Sequence, residues 1–547
     1  MAVPSRSASP SAKKALDPSW LRLTFSDLWE KNARSLPDQE AVVDTTKRLT
    51  WSEANHQIDQ IAFGFLQLGY EKDDAVAIQL PNCVELALLR IASERAGLIC
   101  VPISRVLRAK EVEYVLSKVR ARGIVTTWRF RGFDYFRMIE EIKRRVPIEH
   151  VVVVGEEVPA EAIALQSLLR AENEEISLQR AFEDRRCKPE EFSLVTHTTG
   201  VTGLPKFVEN PIFSRMELAK AQVERLCMNS SDVTGTFSPN AGGPNTVSYF
   251  ASPLAGAKAV MLEHFEPEEA MMRIEREKIT VLPLVPAMAL MMIDHPRFRD
   301  YDLRSLRIII SGGAIFNYHE AMRAEEALGC PIVQFYGSVD SGIGVMGDPG
   351  DPREVRLSTV GKPLGRCEVK VTKEDGFEAA PGERGDVWMR SPDCLSGYFQ
   401  DPEANRAAWN EEGWFALEDI GSLDKKGNLV IFGRKKEMIN RGGQKIFPGE
   451  VEGIISQFDK VAQVAIIGIP DKIMGERSCA YLVPKRGVHT TLEEINAFLR
   501  ENGVTHYKWL DRLEIVDELP AVGGKIDKKV LREDIRQKLE KEKSKSN

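Results

Sequence analysis

The sequence predicts an α/β protein: a large N-terminal domain of parallel α/β sheets plus a small barrel-like part, followed by a small mobile α+β C-terminal domain. Three observations lead there. Apolar runs bounded by turn residues alternate with helical periods from Ala75 to Val154 and again from Ala257 to Ile310, as in parallel sheets joined by helices. From about Val355 the texture changes to short alternating strands separated by glycines and charges. After a short polar stretch at Gly433–Lys436, two helical periods and three strand-like runs complete a compact unit. A chain of 547 residues is in any case too long for one core.

In order, Met1–Pro18 is rich in Ser, Ala and Pro, lacks an apolar run, and reads as a disordered lead-in. Phe25–Leu36 is amphipathic, and Arg48–Ser52 is a short strand feeding a helix through Leu68. Ala75–Leu80 is a buried strand, Glu85–Ala96 a helix stopped by Gly97, and Leu98–Ile103 and Val151–Val154 are further strands. The alternation resumes with Ala257–Leu262 (strand), Pro267–Lys278 (helix), Ile279–Val285 (strand), Met288–Asp294 (helix) and Leu306–Ile310 (strand). Val369–Val371, Asp386–Met389 and Asn428–Phe432 alternate as barrel strands. Residues 433–436 are the linker, 437–535 the C-terminal domain, and 536–547 a lysine-rich tail expected to fray.

Composition excludes several classes. Lys and Arg total 74 against 81 Asp and Glu, without basic clusters outside the tail, which argues against nucleic acid as a partner. Eight cysteines without a CxxC pair fit reduced thiols in a cytoplasmic compartment rather than a disulfide frame or zinc site. No apolar stretch is long enough to span a bilayer. The oligomeric state is open, a homodimer included.

The chemistry concentrates in Thr198-Thr199-Gly200-Val201-Thr202-Gly203-Leu204-Pro205-Lys206, directly after the strand-like Phe192–Thr196. Glycines allow successive backbone N–H groups to face one point, threonine hydroxyls add donors, and a lysine adds a mobile charge: a phosphate cradle. The spacing is not that of a Walker loop, and a polar surface loop is the bland alternative. Four further constellations follow. Gln334-Phe335-Tyr336-Gly337-Ser338-Val339-Asp340 closes a turn with an acid suited to magnesium on ATP. Asp419 lies within Gly413–Gly421, where a carboxylate at a strand end can accept ribose hydroxyls. Arg434 precedes Arg441-Gly442-Gly443-Gln444-Lys445, and Pro520–Lys525 presents one lysine near the end of the chain. Each alone reads as a solvated loop.

In this order, the five motifs resemble the adenylate-forming ligase superfamily, which includes acyl- and aryl-CoA synthetases and aryl-acid AMP ligases, over nearly the whole chain from Phe25 to Ile535. The resemblance implies a two-step reaction. A carboxylate attacks the α-phosphorus of Mg·ATP, giving an acyl-adenylate and pyrophosphate; the thiol of coenzyme A or of a carrier-protein pantetheine then displaces AMP. It implies that Thr198, Thr199, Gly200, Thr202, Gly203 and Lys206 hold phosphates, and that Tyr336 stacks near adenine. Gly313, Ala314, Phe335, Gly337 and Ile431 are implied to border the nucleotide. Asp340 stands at the magnesium position, Asp419 and Arg434 at the ribose, and Lys525 at the α-phosphate, where a point charge stabilises the charge developing in the transition state. Residues 19–432 would be the adenylation domain and 437–535 a lid rotating about Lys436 to bring Gly442, Gly443 and Lys445 to the site for coenzyme A.

The sequence departs from the superfamily at Val201 (Ser or Thr is usual), Val339 (Thr or Ala), Asp340 (Glu), Leu417-Glu418 (Thr-Gly) and Leu510 (often Pro). The acid pocket is expected to draw on Asn240, Gly243, Tyr249, Gly312, Ala314 and Gly337. With glycines where dihydroxybenzoate enzymes carry a His-Asn pair, the expected acid is apolar: aromatic, alicyclic or medium-chain. Two alternatives accompany a CoA ligase: an enzyme loading a carrier protein, and a catalytically degenerate nucleotide- or adenylate-binding protein suggested by Val201 and Val339.

Overall fold

The computed structural model describes residues 23–169, 182–198, 205–238, 245–391, 397–522 and 525–546. The expected lead-in, residues 1–18, therefore lies outside the described residues.

Two large sheets dominate. The first runs, in spatial order, through Gly397–Tyr398, Phe207–Pro211, Phe192–His197, Ile99–Pro102, Ala75–Gln79, Gly123–Thr127, His150–Val154 and Ile163–Ala164. The second runs through Lys362–Pro363, Gly342–Met346, Ile332–Ser338, Ile308–Ser311, Val281–Leu284, Val233–Thr236, Lys258–Met261, Glu40–Val43 and Arg48–Thr50. Both are parallel in their centres and antiparallel at edges.

Strand alternation divides the residues between layers, since successive side chains point to opposite faces. In the first sheet Val76, Ile78, Cys100, Val125 and Val152 join one core, while Ala75, Ala77, Ile99, Val101, Ile124 and Val153 join another. In the second, Leu282, Leu284, Ile309 and Ile332 separate in the same way from Val281, Ile308, Ile310 and Val333. The core containing Val76 and Ile78 also holds Val42 and Met261 of the second sheet, together with Trp51, Ile58, Phe65 and Leu88 from helices. A helical layer therefore lies between the sheets. Its inner helix, Val84–Arg95, is buried along its whole length despite carrying Glu85, Arg90, Glu94 and Arg95.

Helix starts follow their caps. Thr24 with Asp27, Thr50 with Glu53 and Thr491 with Glu494 each close a reciprocal capping box, satisfying N–H groups that have no partner within the helix. Pro267, Pro286 and Pro448 each begin a helix, where the missing N–H costs nothing.

The barrel-like part is the antiparallel sheet Glu368–Thr372, Gly385–Arg390, Phe415–Leu423 and Leu429–Arg434. Gly433 and Arg434, expected within the linker, continue its last strand by pairing with Ile420 and Asp419. The chain then turns at Lys435–Glu437. In the C-terminal part, Val461–Asp471 pairs with Gly475–Pro484. Ile466, Ala480 and Leu482 face the helix Leu492–Glu501; Ala465, Ile467 and Tyr481 face Leu531 and Ile535. The final stretch differs from the frayed tail expected from its lysines. The helix Lys528–Ser546 runs through it, with Lys538 bonded to Asp534 four residues back and to Glu514, and Arg512 to Glu542. Pairing of Lys with an acid one turn away offsets the low apolar content. Among the described residues, no helix is long and apolar enough to cross a membrane.

Candidate active site

The strand Phe192–His197 delivers the chain to the phosphate loop, and the loop's ends are pinned together. The Thr198 N–H donates to the Lys206 carbonyl (2.9 Å), and the Lys206 N–H donates to the Thr198 hydroxyl (3.0 Å). Thr199, Gly200, Val201, Thr202 and Gly203 lie outside the described residues, as do Asn240 and Gly243 of the expected acid pocket. Burial pushes the imidazole of His197, just before the loop, below its usual pKa.

Lys206 meets Tyr398, a residue the motifs did not single out. Its ammonium lies 3.4 Å from the Tyr398 hydroxyl and 4.5 Å from the ring centre. Burial and then the nearby Asp340 carboxylate push the Tyr398 phenol well up, so it remains a proton donor. Tyr398 reaches this place because Gly397–Tyr398 pairs with Glu209 and Val208 on the strand after Lys206. That pairing spans most of two hundred residues and leaves no local trace in the sequence. Trp409 packs edge-on against the Tyr398 ring. Val339, where Thr or Ala is usual, packs into the same apolar cluster.

Asp340 sits at the tip of a turn fixed on both sides. Ser338 and Ser341 exchange backbone-to-hydroxyl hydrogen bonds of 3.2 and 3.0 Å. Gly337 is required by close approach: a Cβ there would lie 2.0 Å from the Gly342 carbonyl oxygen. Gly312 is held the same way, with the Phe335 ring 2.5 Å from where a Cβ would stand. Gly313 adopts φ +82°, and Gly313 and Ala314 are exposed beyond their strand.

The expected ribose residues converge. The Tyr336 hydroxyl donates to Asp419 (2.5 Å), and Arg434 Nε lies 3.4 Å from the other carboxylate oxygen. Burial raises Asp419, and the Tyr336 and Arg434 donors oppose that rise. Ile431 and the Tyr336 ring belong to the barrel core beside them. Glu418, in place of the usual glycine, adopts φ +58°, a conformation glycine takes freely and other residues rarely.

Other expected residues stand apart. Gly442 (φ +58°) and Gly443 (φ +85°) form the exposed tip of the hairpin Ile439–Arg441/Gln444–Ile446. That hairpin is held by Met474, by Asp511 through Arg441, and by Glu374 through Lys445, none of them an expected nucleotide residue. Lys436 is exposed, 4.0 Å from Glu418. The Lys525 backbone pairs with Val522 in a two-stranded ladder, and its side chain lies outside the described residues. Tyr249, expected in the acid pocket, is buried with its ring under Arg90 and its hydroxyl 3.5 Å from Asn82. Asn82 in turn donates to the carbonyls of Thr236, Ser238 and Leu262, tying strand ends next to the expected pocket; it too was missed. Leu510, often Pro in the superfamily, donates its N–H to Asn496, which proline has no hydrogen to do.

Residues 29–399 match the family described as AMP-binding enzyme, and residues 450–525 match the AMP-binding enzyme C-terminal domain. The chain is 31% identical over 528 residues to the 2,3-dihydroxybenzoate-AMP ligase of Bacillus subtilis (strain 168), covering 95% of each protein. It is 30% identical over 525 residues to the medium-chain fatty-acid–CoA ligase of Escherichia coli (strain K12), covering 95% of this chain and 92% of that one. Its fold superposes on the anthranilate CoA ligase AuaEII in complex with anthranoyl-AMP with a TM-score of 0.86 at 23% identity, covering 96% and 99% of the two chains. Taken with the converged Tyr336, Asp419 and Arg434, these matches give the conclusion that the chain belongs to the AMP-binding enzymes, the adenylate-forming ligases.

Proposed function

We propose that this ligase activates an apolar carboxylic acid with ATP and transfers the acyl group to coenzyme A. The observation that carries the reading is the Tyr336–Asp419–Arg434 cluster. A buried carboxylate held from two sides keeps its remaining acceptor capacity for paired hydroxyls such as those of a ribose.

In the first step an oxygen of the acid attacks the α-phosphorus, the bond to pyrophosphate breaks, and acyl-adenylate forms. Lys206, next to the pinned loop, neutralises phosphate charge, and Tyr398 orients it. The Asp340 carboxylate, fixed at its turn tip beside Tyr398, fits a magnesium ion that keeps most of its waters and takes one protein oxygen. That ion would supply charge neutralisation on the phosphates. Lys525 is assigned to the α-phosphate. In the second step the thiol sulfur attacks the acyl carbon and AMP leaves with the bonding electrons. Gly442, Gly443 and Lys445 are assigned to this step after the C-terminal part, residues 437–535, pivots at Lys436. Nearly full-length similarity to both an AMP ligase and a CoA ligase supports the acid activation and leaves acid and acceptor to experiment.

The test is thioester formation by mass spectrometry, with a panel of aromatic, alicyclic and medium-chain acids, ATP, magnesium, and either coenzyme A or a phosphopantetheinylated carrier protein. Acyl-CoA with AMP is expected. Acyl-adenylate with thioester only on the carrier would replace coenzyme A as acceptor, and nucleotide binding without either product would favour a binding protein.

A further inference from the structure

Between the two large sheets, on the inner helix Val84–Arg95, lies a cavity of about 40 Å³, lined in part by Tyr249. Three charged side chains line it: Arg90, Glu94 and Arg215. Arg90 is 9% exposed, and among the described residues no hydrogen-bond or ion-pair partner reaches its guanidinium; its Nε is buried and unsatisfied. The guanidinium lies 4.3 Å from the Tyr249 ring centre and 4.9 Å from that of Phe250. Two aromatic faces favour a cation but do not replace a counter-ion.

The acid in the cavity does not supply one. The Glu94 oxygens already accept from the Ser26 N–H (2.7 Å) and the Ser193 hydroxyl (2.7 Å), and burial raises its carboxyl towards the neutral form. Arg215, the second cation, donates to the amide oxygen of Asn210. Of the charged side chains in the lining, two are cations and one is an acid. A buried charge is tolerated when it is paired, and here the protein leaves the pairing open.

We propose that this cavity is a binding site for a small monovalent anion, halide or formate in size, held by Arg90. The volume sets the size. One water needs on the order of 10–15 Å³ of such space, so the cavity admits an ion of one to three heavy atoms and no nucleotide or acyl chain. The charge sets the sign. Because Arg90 sits on a helix packed between the sheets, with Tyr249, Phe250 and Arg215 from the chain following the first sheet, the anion would tie the layers together. It would act as a stabilising ligand independent of ATP and acid.

The experiment is thermal unfolding of the full chain in gluconate buffer at constant ionic strength, titrated with chloride, bromide or formate. Binding to the folded state alone predicts a rise in midpoint of about 1 °C at tenfold excess over the apparent Kd, growing with the logarithm of anion concentration beyond it. Arg90→Met should lose this anion-specific rise. No anion-specific rise in the wild type, or an equal rise in Arg90→Met, overturns the proposal. Crystals of the wild type grown in bromide give a second readout needing no variant. An anomalous peak within hydrogen-bonding distance of the Arg90 guanidinium is expected, and ordered water there without a bromine peak overturns it.

Discussion

Glu418 holds a backbone conformation, φ +58°, that costs a non-glycine residue on the order of 1 kcal/mol or more. It stands next to Asp419, so the position of the carboxylate assigned to the ribose is kept against local strain. Replacing it should relax that strain: Glu418→Gly is expected to gain up to about 1 kcal/mol in denaturant unfolding, after glycine's own entropic cost is subtracted. A loss of stability would show that the side chain, through Lys436 or otherwise, outweighs the backbone. That Glu replaces a usual glycine was visible in the sequence; that the backbone still turns left-handed there was not. Tyr398 teaches the same lesson. Its role depends on a strand pairing with Val208 and on the Asp340 turn, which local pattern does not encode. Tyr398→Phe removes the hydroxyl facing Lys206 and keeps the ring against Trp409. A hydrogen bond to a charged group is worth about 1.5–3 kcal/mol, so the KM for ATP should rise about tenfold or more with unchanged thermal midpoint. An unchanged KM would remove Tyr398 from the nucleotide site.

Among elements, most parallel strands were legible as short apolar runs with their own stop signals, and their cores partition by simple alternation, but Gly123–Thr127 and Val233–Thr236 were not singled out. The short edge strands Gly397–Tyr398 and Ile163–Ala164 and the final helix were not legible, although the edge strand Arg48–Thr50 was. Lysine-rich composition suggested fraying, whereas pairing to Asp534 and Glu514 holds the helix. Charge pairing also secures an edge. Glu277 joins Arg48 (2.8 Å) and Lys258 (3.2 Å) across the strands that end the second sheet. Hydrogen bonding from Arg48 holds its carboxyl at about 2. A depressed acid stabilises above its unfolded value and ceases to do so as pH falls past it, here from about 4 towards 2. Glu277→Gln should therefore narrow the stability gap between pH 6 and pH 2.5, and an unaltered acid-unfolding profile would contradict this. The linker makes a second test at this scale. Proline fixes φ and removes a donor, so Lys436→Pro should impair the adenylation and thioester half-reactions very unequally. Equal rates in both would move the pivot elsewhere.

For the whole molecule, motif order carried more than any motif. Asp419, Tyr336 and Arg434 are separated in sequence and meet in the structure, while Gly442, Gly443 and Lys445 are held on another side by Glu374, Met474 and Asp511. A single domain arrangement need not satisfy two chemical steps, and the assignment of Lys525 to the first step is tested on that basis. Lys525→Ala should lose adenylate formation by several orders of magnitude while thioester formation from supplied acyl-adenylate largely survives. The central claim, that this chain adenylates a carboxylic acid, is tested most directly by acid-dependent exchange of labelled pyrophosphate into ATP, comparing the wild type with Asp419→Ala. The account predicts exchange that requires one of the apolar acids and falls by about tenfold to hundredfold in the variant at subsaturating ATP. ATP binding without exchange for any acid in the panel, or exchange indifferent to Asp419→Ala, would contradict it.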